Sequence, residues 1–451
     1  MDRKLSTDFT QGPVMRQLVL FALPFMAANL LQALYNVVDT IIVGRFVGSV
    51  GLSAVSIGGM ITMFLTCISV GFSTGAQVLI SQIMGKNDHS SINKAVGTIF
   101  STMIALGLLT TVLGLALLNV FVRLMNTPAE AVAQTRAYLG ICIAGIVMTF
   151  GYNGVSAVLR GMGDSKRPFV FIAIASVTNL VLDLIFVALL NMAAAGAALA
   201  TIIGQTVSFV FSIVYLYRRR VAFGFDFRPA SFRIDGALMK TFLKLGLPMT
   251  FQMAVVSVSY MVISSAVNSY GLAASAIAGV GSKLCNILNI VTGGIQTACA
   301  GMVGQNVSAR KYDRVRSVTF SGLVVCTVSG IVFCGLCLLF PRAIISIFST
   351  DADVLDLARL YMLTSVPGFM GSFLMAATNG LVQGSGAMTF NMVISALDCV
   401  VARLGLGFLL GNLLKIGPGG WWLGGSLAGY VTVIAGVWFL VAARYKRYSI
   451  I

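Results

Sequence analysis

Three aspartates, Asp39, Asp183 and Asp398, stand inside apolar runs, where an ionisable group is costly and by default marks a transport pathway, a coupling site or a buried ion pair. Asp39 belongs to NVVDTIIVG (Asn36 to Gly44), with Tyr35 four residues before it on the same helical face. Asp183 closes TNLVLD, in which Asn179 is its neighbour one turn back. At a helical rise of 1.5 Å per residue, Asp39 falls about 6 Å from the outer end of its helix, Asp183 about 10 Å and Thr201 about 12 Å. Polar oxygens from three helices therefore share one depth. If the helices meet there, two carboxylates in a low dielectric cannot both stay ionised, and they titrate as one unit. That is the chemistry of proton coupling. The oxygens of Asp39, Asn179, Asp183 and Thr201 are also hard ligands that suit Na⁺. The plainer alternative is that Asp39 and Asn179 hydrogen-bond across helices as glue.

The second half of the chain carries Lys283, about 12 Å from the outside by helix rise, with Asp398 nearer the midplane and Arg403 beyond it. Asp398 and Arg403 are five residues apart, a spacing that does not place them on one α-helical face, so cross-helix pairing is expected ahead of a substrate or gating role. Candidates to line or gate a substrate cavity are Tyr35, Asn153, Met148, Lys283, Asp398 and Arg403, with methionine supplying an adaptable wall. Pro24 removes a backbone hydrogen bond within the first helix and is the candidate hinge.

The elements that must position these groups follow from composition. The chain has 451 residues, 58% hydrophobic and 10% charged, and a mean hydropathy of +0.94. That composition predicts an all-α polytopic membrane protein. Apolar runs of spanning length predict twelve transmembrane helices, near residues 16–43, 52–83, 95–121, 136–159, 168–190, 193–217, 241–268, 275–303, 317–340, 356–382, 388–414 and 420–443. With both termini inside, 22 of the 30 Lys and Arg residues fall in inner segments and 6 in outer ones. Topology thus accounts for the net charge of +16, and no nucleic-acid partner is expected.

The chain is also repeated. LPFMAANLL at Leu23 parallels LPMTFQMAV at Leu247, GKNDHSSINKAV at Gly85 parallels GQNVSARKYDRV at Gly304, and VLRGMGD at Val158 parallels LVQGSGA at Leu381. Two parallel six-helix lobes follow, 1–220 and 241–451 joined by a cytoplasmic loop 221–240, related by a pseudo-twofold axis along the membrane normal.

Taken together, the two LP helix starts, the paired GxN loops, RGMGDSKRP after the fourth helix and NLVLD in the fifth resemble the multidrug and toxic compound extrusion (MATE) family over essentially the whole chain. The resemblance implies a secondary antiporter that exports amphipathic, cationic small molecules by alternating access. Within the family, Asp39, Asn179, Asp183 and Thr201 look like the amino-terminal cation site of the DinF-type branch. There the resemblance implies coupling of the first-helix aspartate to H⁺, with Na⁺ at the same group also proposed and bending at the proline a response. The NorM-type branch emphasises acids in the seventh and tenth helices. This chain has none in the seventh and only Asp356 at the edge of the tenth.

A flippase for a lipid-linked or polyprenyl-phosphate substrate is the competing function, weakened by the scarcity of intramembrane cations and by the lack of spans beyond twelve. An enzyme is not expected. The single histidine, His89, lies in a polar loop, no GxxxxGK[ST] stretch would bind ATP, and no His/Cys cluster would hold zinc. The eight cysteines all lie in apolar segments, where a thiol is a small hydrophobe, so no disulfide is expected. The expected setting is a cell inner membrane, as a monomer without a cofactor, with H⁺ or Na⁺ as the coupling ion.

Overall fold

A computed structural model describes residues 7–448, the side chains of residues 89 and 90 excepted. The described residues form helices and turns without a β-strand. Among the described residues, twelve helices are long and apolar enough to cross a membrane: α1 (Val14–Phe46), α2 (Gly48–Gly85), α3 (Ser91–Ala116), α4 (Ala129–Gly161), α5 (Lys166–Leu189), α6 (Ala193–Arg218), α7 (Gly236–Asn268), α8 (Leu272–Ser308), α9 (Tyr312–Leu339), α10 (Ala358–Ser385), α11 (Met388–Leu413) and α12 (Pro418–Val441). They coincide with the expected spans to within several residues. Backbone groups in hydrocarbon must be satisfied within the segment, and an all-helical fold does so. Many large apolar side chains point outward, among them Val112, Leu189 and Val441, as a lipid solvent permits.

Internal contacts group the chain into two compact units, one holding Ala27–Thr250 with Thr7, the other Asp8–Met26 with the chain from Phe251 onward. The unit boundaries fall inside α1 and α7. In each helix the change of unit comes two residues after an internal proline, Pro24 in α1 and Pro248 in α7. Proline deletes a helical hydrogen bond, so each helix is weakest where its packing partners change. The first residues of α1 accordingly enter the core of the second unit, where Leu18, Phe21 and Phe25 pack with Ile295, Ala298 and Met302. The first part of α7 packs in the first unit, its Phe242 ring 5.5 Å from that of Phe72.

The stretch 221–240 belongs to the first unit and is strapped onto α3. Ser101 Oγ donates to the Phe232 carbonyl at 2.6 Å and Asp235 N donates to Thr98 Oγ1 at 3.1 Å. Gly97 permits this approach, because a Cβ there would stand 1.8 Å from the Ser231 carbonyl oxygen.

Among the described residues, two of the spanning helices contain π segments. The last part of α5, Leu184–Leu189, is a π turn directly after Asp183, and α11 contains π segments at Leu397–Arg403 and Leu409–Leu413. Small residues bring α11 and α12 together: a Cβ on Gly420 or Gly424 would lie 2.5 Å from the α11 backbone. Gly407 and Gly411, one turn apart, leave the slot that Trp421 fills, since a Cβ at either would meet its ring within 2.5 Å. All eight cysteines are free thiols, Cys67 and Cys285 half-buried and the others buried.

Candidate functional site

The first unit gathers the residues singled out for coupling. The Asp39 and Asp183 carboxyl groups, from α1 and α5, lie close enough together to interact directly. Asn179 lies between Asp183 and α6. Its amide nitrogen donates to Asp183 Oδ2 at 3.1 Å and its oxygen accepts from the Thr201 backbone N at 3.1 Å, the orientation in which both amide atoms find partners. The Thr201 hydroxyl donates to the Ala197 carbonyl at 3.0 Å, so its lone pairs remain the groups it can offer. Asp183 is fully buried, Asn179 buried, and Asp39 and Thr201 half-buried. One oxygen of each carboxyl, Asp39 Oδ1 and Asp183 Oδ1, is buried without a hydrogen-bond partner. Buried acceptors are normally satisfied, and a proton shared between the two carboxyl groups is one way to satisfy oxygens such as these.

The surroundings of this centre are polar on one side and apolar on the other. A small pocket beside it is lined by Gln32, Tyr35, Ser176, Asn179, Thr201 and Gln205, with Ile172 and Ala175. Toward the α1–α2 and α5–α6 connections, Ile42, Val43, Val187, Ala194, Ala197 and Ala198 close into an apolar cluster with Tyr138 and Cys142 of α4. Water and ions can thus be supplied from the polar side, while the cluster keeps the dielectric low on the other.

Tyr35, named as a cavity or gating candidate, lines this small pocket one turn before Asp39. Gln32, Ser176 and Gln205 were missed, although each lies three or four residues from a chosen one (Tyr35, Asn179 and Thr201), and continuing the helical register would have found them.

Asn153 and Met148 are not part of this group. Asn153 Nδ2 donates to Ser69 Oγ at 2.9 Å, and Ser73 Oγ donates to the Asn153 carbonyl at 3.0 Å. Arg160 continues the ladder, donating to Ser73 Oγ at 2.8 Å and to Gln77 Oε1 at 3.1 Å. Asn153 is thus a tie between α2 and α4. Met148 is half-buried on α4 and lines neither the polar pocket nor the second-unit cavity described below.

The second unit pairs its buried charges within one helix, contrary to the sequence expectation. Arg403 Nη2 lies 3.4 Å from Asp398 Oδ2, because the π segment Leu397–Arg403 closes its turns at i to i+5 and so stacks residues five apart. Thr432 of α12 donates to the same Asp398 oxygen at 3.2 Å. The Arg403 guanidinium also stands 4.9 Å from the Tyr260 ring centroid, in cation–π geometry. Lys283 is separate from this pair and exposed on α8. Asp356 lies outside α10, in an exposed ion pair with Arg342 at 2.9 Å. The side chain of His89 lies outside the described residues.

With the fold and both polar centres in view, comparison with known proteins decides the family. The MatE family model matches residues 24–185 and again 248–409. The chain belongs to the MatE family of transporters. Each match begins at a helix-internal proline, Pro24 in α1 and Pro248 in α7, so the family pattern itself is duplicated along the chain. A probable multidrug resistance protein of Bacillus subtilis, YpnP, is 30% identical over 88% of this chain and 88% of its own length. A second from the same organism, YoeA, is 28% identical over 93% of this chain and 92% of its own. Among solved structures, a MOP superfamily transporter from Pyrococcus furiosus superposes with a TM-score of 0.91 at 21% identity, covering 99% of each chain. This MatE protein is accordingly a multi-pass membrane carrier of a multidrug-efflux family and not an enzyme.

Proposed function

We propose that this MatE protein is an H⁺-coupled antiporter of the DinF-type branch that exports amphipathic, drug-like small molecules by alternating access, from a cell inner membrane with both termini cytoplasmic. The observation that carries the reading is the Asp39–Asp183 contact with one orphan oxygen on each carboxyl. Two carboxyl groups in direct contact lower the cost of standing together by sharing a proton. Loss of that proton leaves two anions in contact with no cation among the groups around them, a state that must move apart or take up a cation. Binding and release of H⁺ is therefore coupled to the position of α1. Na⁺ would compete for the same oxygens of Asp39, Asp183, Asn179 and Thr201 once the proton has left. Pro24 lies where α1 is weakest and is the hinge at which that displacement is absorbed.

The test is dye accumulation, with cationic ethidium and anionic fluorescein compared, in pump-deficient bacteria producing matched amounts of wild type or Asp39→Asn, with an uncoupler as control. Asparagine keeps the shape and hydrogen bonding of aspartate but does not titrate. Wild-type cells are expected to exclude at least one of the two dyes in an uncoupler-sensitive way and the variant to lose at least tenfold of that activity. Equal exclusion by both would make Asp39 structural and overturn the coupling assignment.

A further inference from the structure

We infer that the cavity of the second unit is a binding site for an amphipathic organic anion, an aromatic carboxylate or comparable acid, in place of the cation expected from the sequence. The inference rests on the export reading above and gives its cargo a chemical class. The cavity has a volume of about 660 Å³, within the range of small-molecule sites. Its walls include the aromatic rings of Tyr260, Tyr361, Phe369, Trp421 and Trp422, flat apolar surfaces against which a ring system can lie. Asn268, Asn286 and Asn289 supply neutral polar groups.

Its charge is one-sided. Arg403 is the only charged residue among those that line it. Asp398, which pairs with Arg403, is not in the lining. On α8, Lys283 lies four residues after Gly279 and three before Asn286, both of which line the cavity, so the helical register puts a second positive charge beside it. A lipophilic cation entering here would meet a guanidinium and no carboxylate.

Two unsatisfied donors sharpen the assignment. Arg403 and Trp422 are each only 7% exposed, and the Arg403 Nε and Trp422 Nε1 hydrogens have no acceptor. Both side chains line this one cavity. A buried donor without an acceptor is costly, and a ligand that brings acceptors removes the cost. The single 3.4 Å contact of Arg403 with Asp398 runs through Nη2, which leaves the Nε hydrogen for an acceptor that a ligand brings. Trp422, held edge-on against Tyr361 with ring centroids 5.0 Å apart, is fixed so that its N–H is a directed donor.

The experiment is a fluorescence-polarisation titration of the purified full-length protein in phosphatidylcholine nanodiscs. The probes are fluorescein and tetramethylrhodamine methyl ester, which share a xanthene ring system and differ in sign of charge at neutral pH. Wild type is expected to bind fluorescein at least tenfold more tightly than the rhodamine. Lys283→Gln should weaken fluorescein about threefold. The double variant Asp398→Asn/Arg403→Gln, which leaves no buried charge unpaired and so preserves the fold, should weaken it at least tenfold and leave the rhodamine unchanged. Gly429→Leu, at a lining position where a Cβ meets nothing within 4 Å, should fill the cavity and block both dyes.

A wild type that prefers the rhodamine, or an anion preference that survives the double variant, overturns the inference. Displacement of fluorescein when phosphatidylglycerol replaces phosphatidylcholine would assign the site to a lipid headgroup and overturn the small-molecule assignment. Binding needs no ion gradient, so a failed efflux assay leaves this test readable. Conversely, uncoupler-sensitive ethidium export by a protein whose purified cavity prefers the rhodamine keeps the export reading and sinks this one.

Discussion

In the first unit two carboxyl groups, Asp39 and Asp183, face each other with no cation among the groups around them, whereas in the second Asp398 faces Arg403 and Thr432. The first arrangement sets two like-charged groups together, and sharing a proton or a cation lowers the cost of holding them there. The second carries its countercharge on the same helix and stays balanced without an exchangeable ion. One unit therefore brings two acids together and the other pairs opposite charges beside a cavity. The difference also explains why the two units need different helix distortions. In α11 the π segment forms the pair, while in α5 the π turn begins only after Asp183, whose partner comes from another helix.

Breaking one partner of each pair should separate them most sharply. Arg403→Gln leaves Asp398 as an uncompensated buried acid, and its cost should be about 3–5 kcal/mol, read as a large fall in apparent Tm in detergent. The double variant Asp398→Asn/Arg403→Gln should recover most of that loss. In the first unit Asp183→Asn removes a like-charge neighbour and keeps a hydrogen-bonding amide, so its stability should stay within about 1 kcal/mol of wild type while export is lost. If Asp183→Asn destabilises as strongly as Arg403→Gln, the first pair is structural and the contrast fails.

A weaker effect is expected where α12 presses on α11. Gly424→Ala would place a methyl 2.5 Å from the Gly407 nitrogen, and overpacking of this kind costs about 1–3 kcal/mol. The shift should also disturb the seat of Trp421, seen as a change in tryptophan emission. Gly335→Ala in α9, where a Cβ meets nothing within 4 Å, is the control. It should raise stability by up to about 1 kcal/mol through helix propensity alone. A Gly424→Ala protein as stable as that control would mean that the close contact is not needed to hold the cavity wall.

Much of this was legible in the sequence because hydrocarbon imposes length and apolarity on every span. The twelve helices and the three intramembrane acids follow from those constraints alone. The meeting of Asp39, Asn179, Asp183 and Thr201 was legible as a shared depth, since helix rise converts sequence position directly into height. Lateral neighbours carry no such signal. Asn153 has the depth and polarity of a site residue, yet it spends its amide on Ser69. The orphan donors of Arg403 and Trp422 depend on which acceptors are missing, and sequence does not record a missing partner. The pairing of Asp398 with Arg403 was hidden for a more specific reason: spacing arguments assume 3.6 residues per turn, and the π segment departs from that period at the position that matters.

That hidden register yields the smallest effect and the most discriminating test. A π turn is an α-helix with one extra residue, so deleting Val401, an exposed side chain inside the segment, should return the turn to α geometry and leave both flanks in register. Asp398 and the arginine would then be four apart, still on one face, and the pair would persist. Stability should therefore change by less than about 1 kcal/mol. A deletion in the regular part of the same helix, at Val393, rotates everything beyond it by about 100° and should prevent accumulation of folded protein. Arg-to-Gln replacement in the Val401 deletion background should cost as much as in the wild type, since the same pair is being broken. A deletion that abolished that cost would show that the pair depends on the π geometry itself.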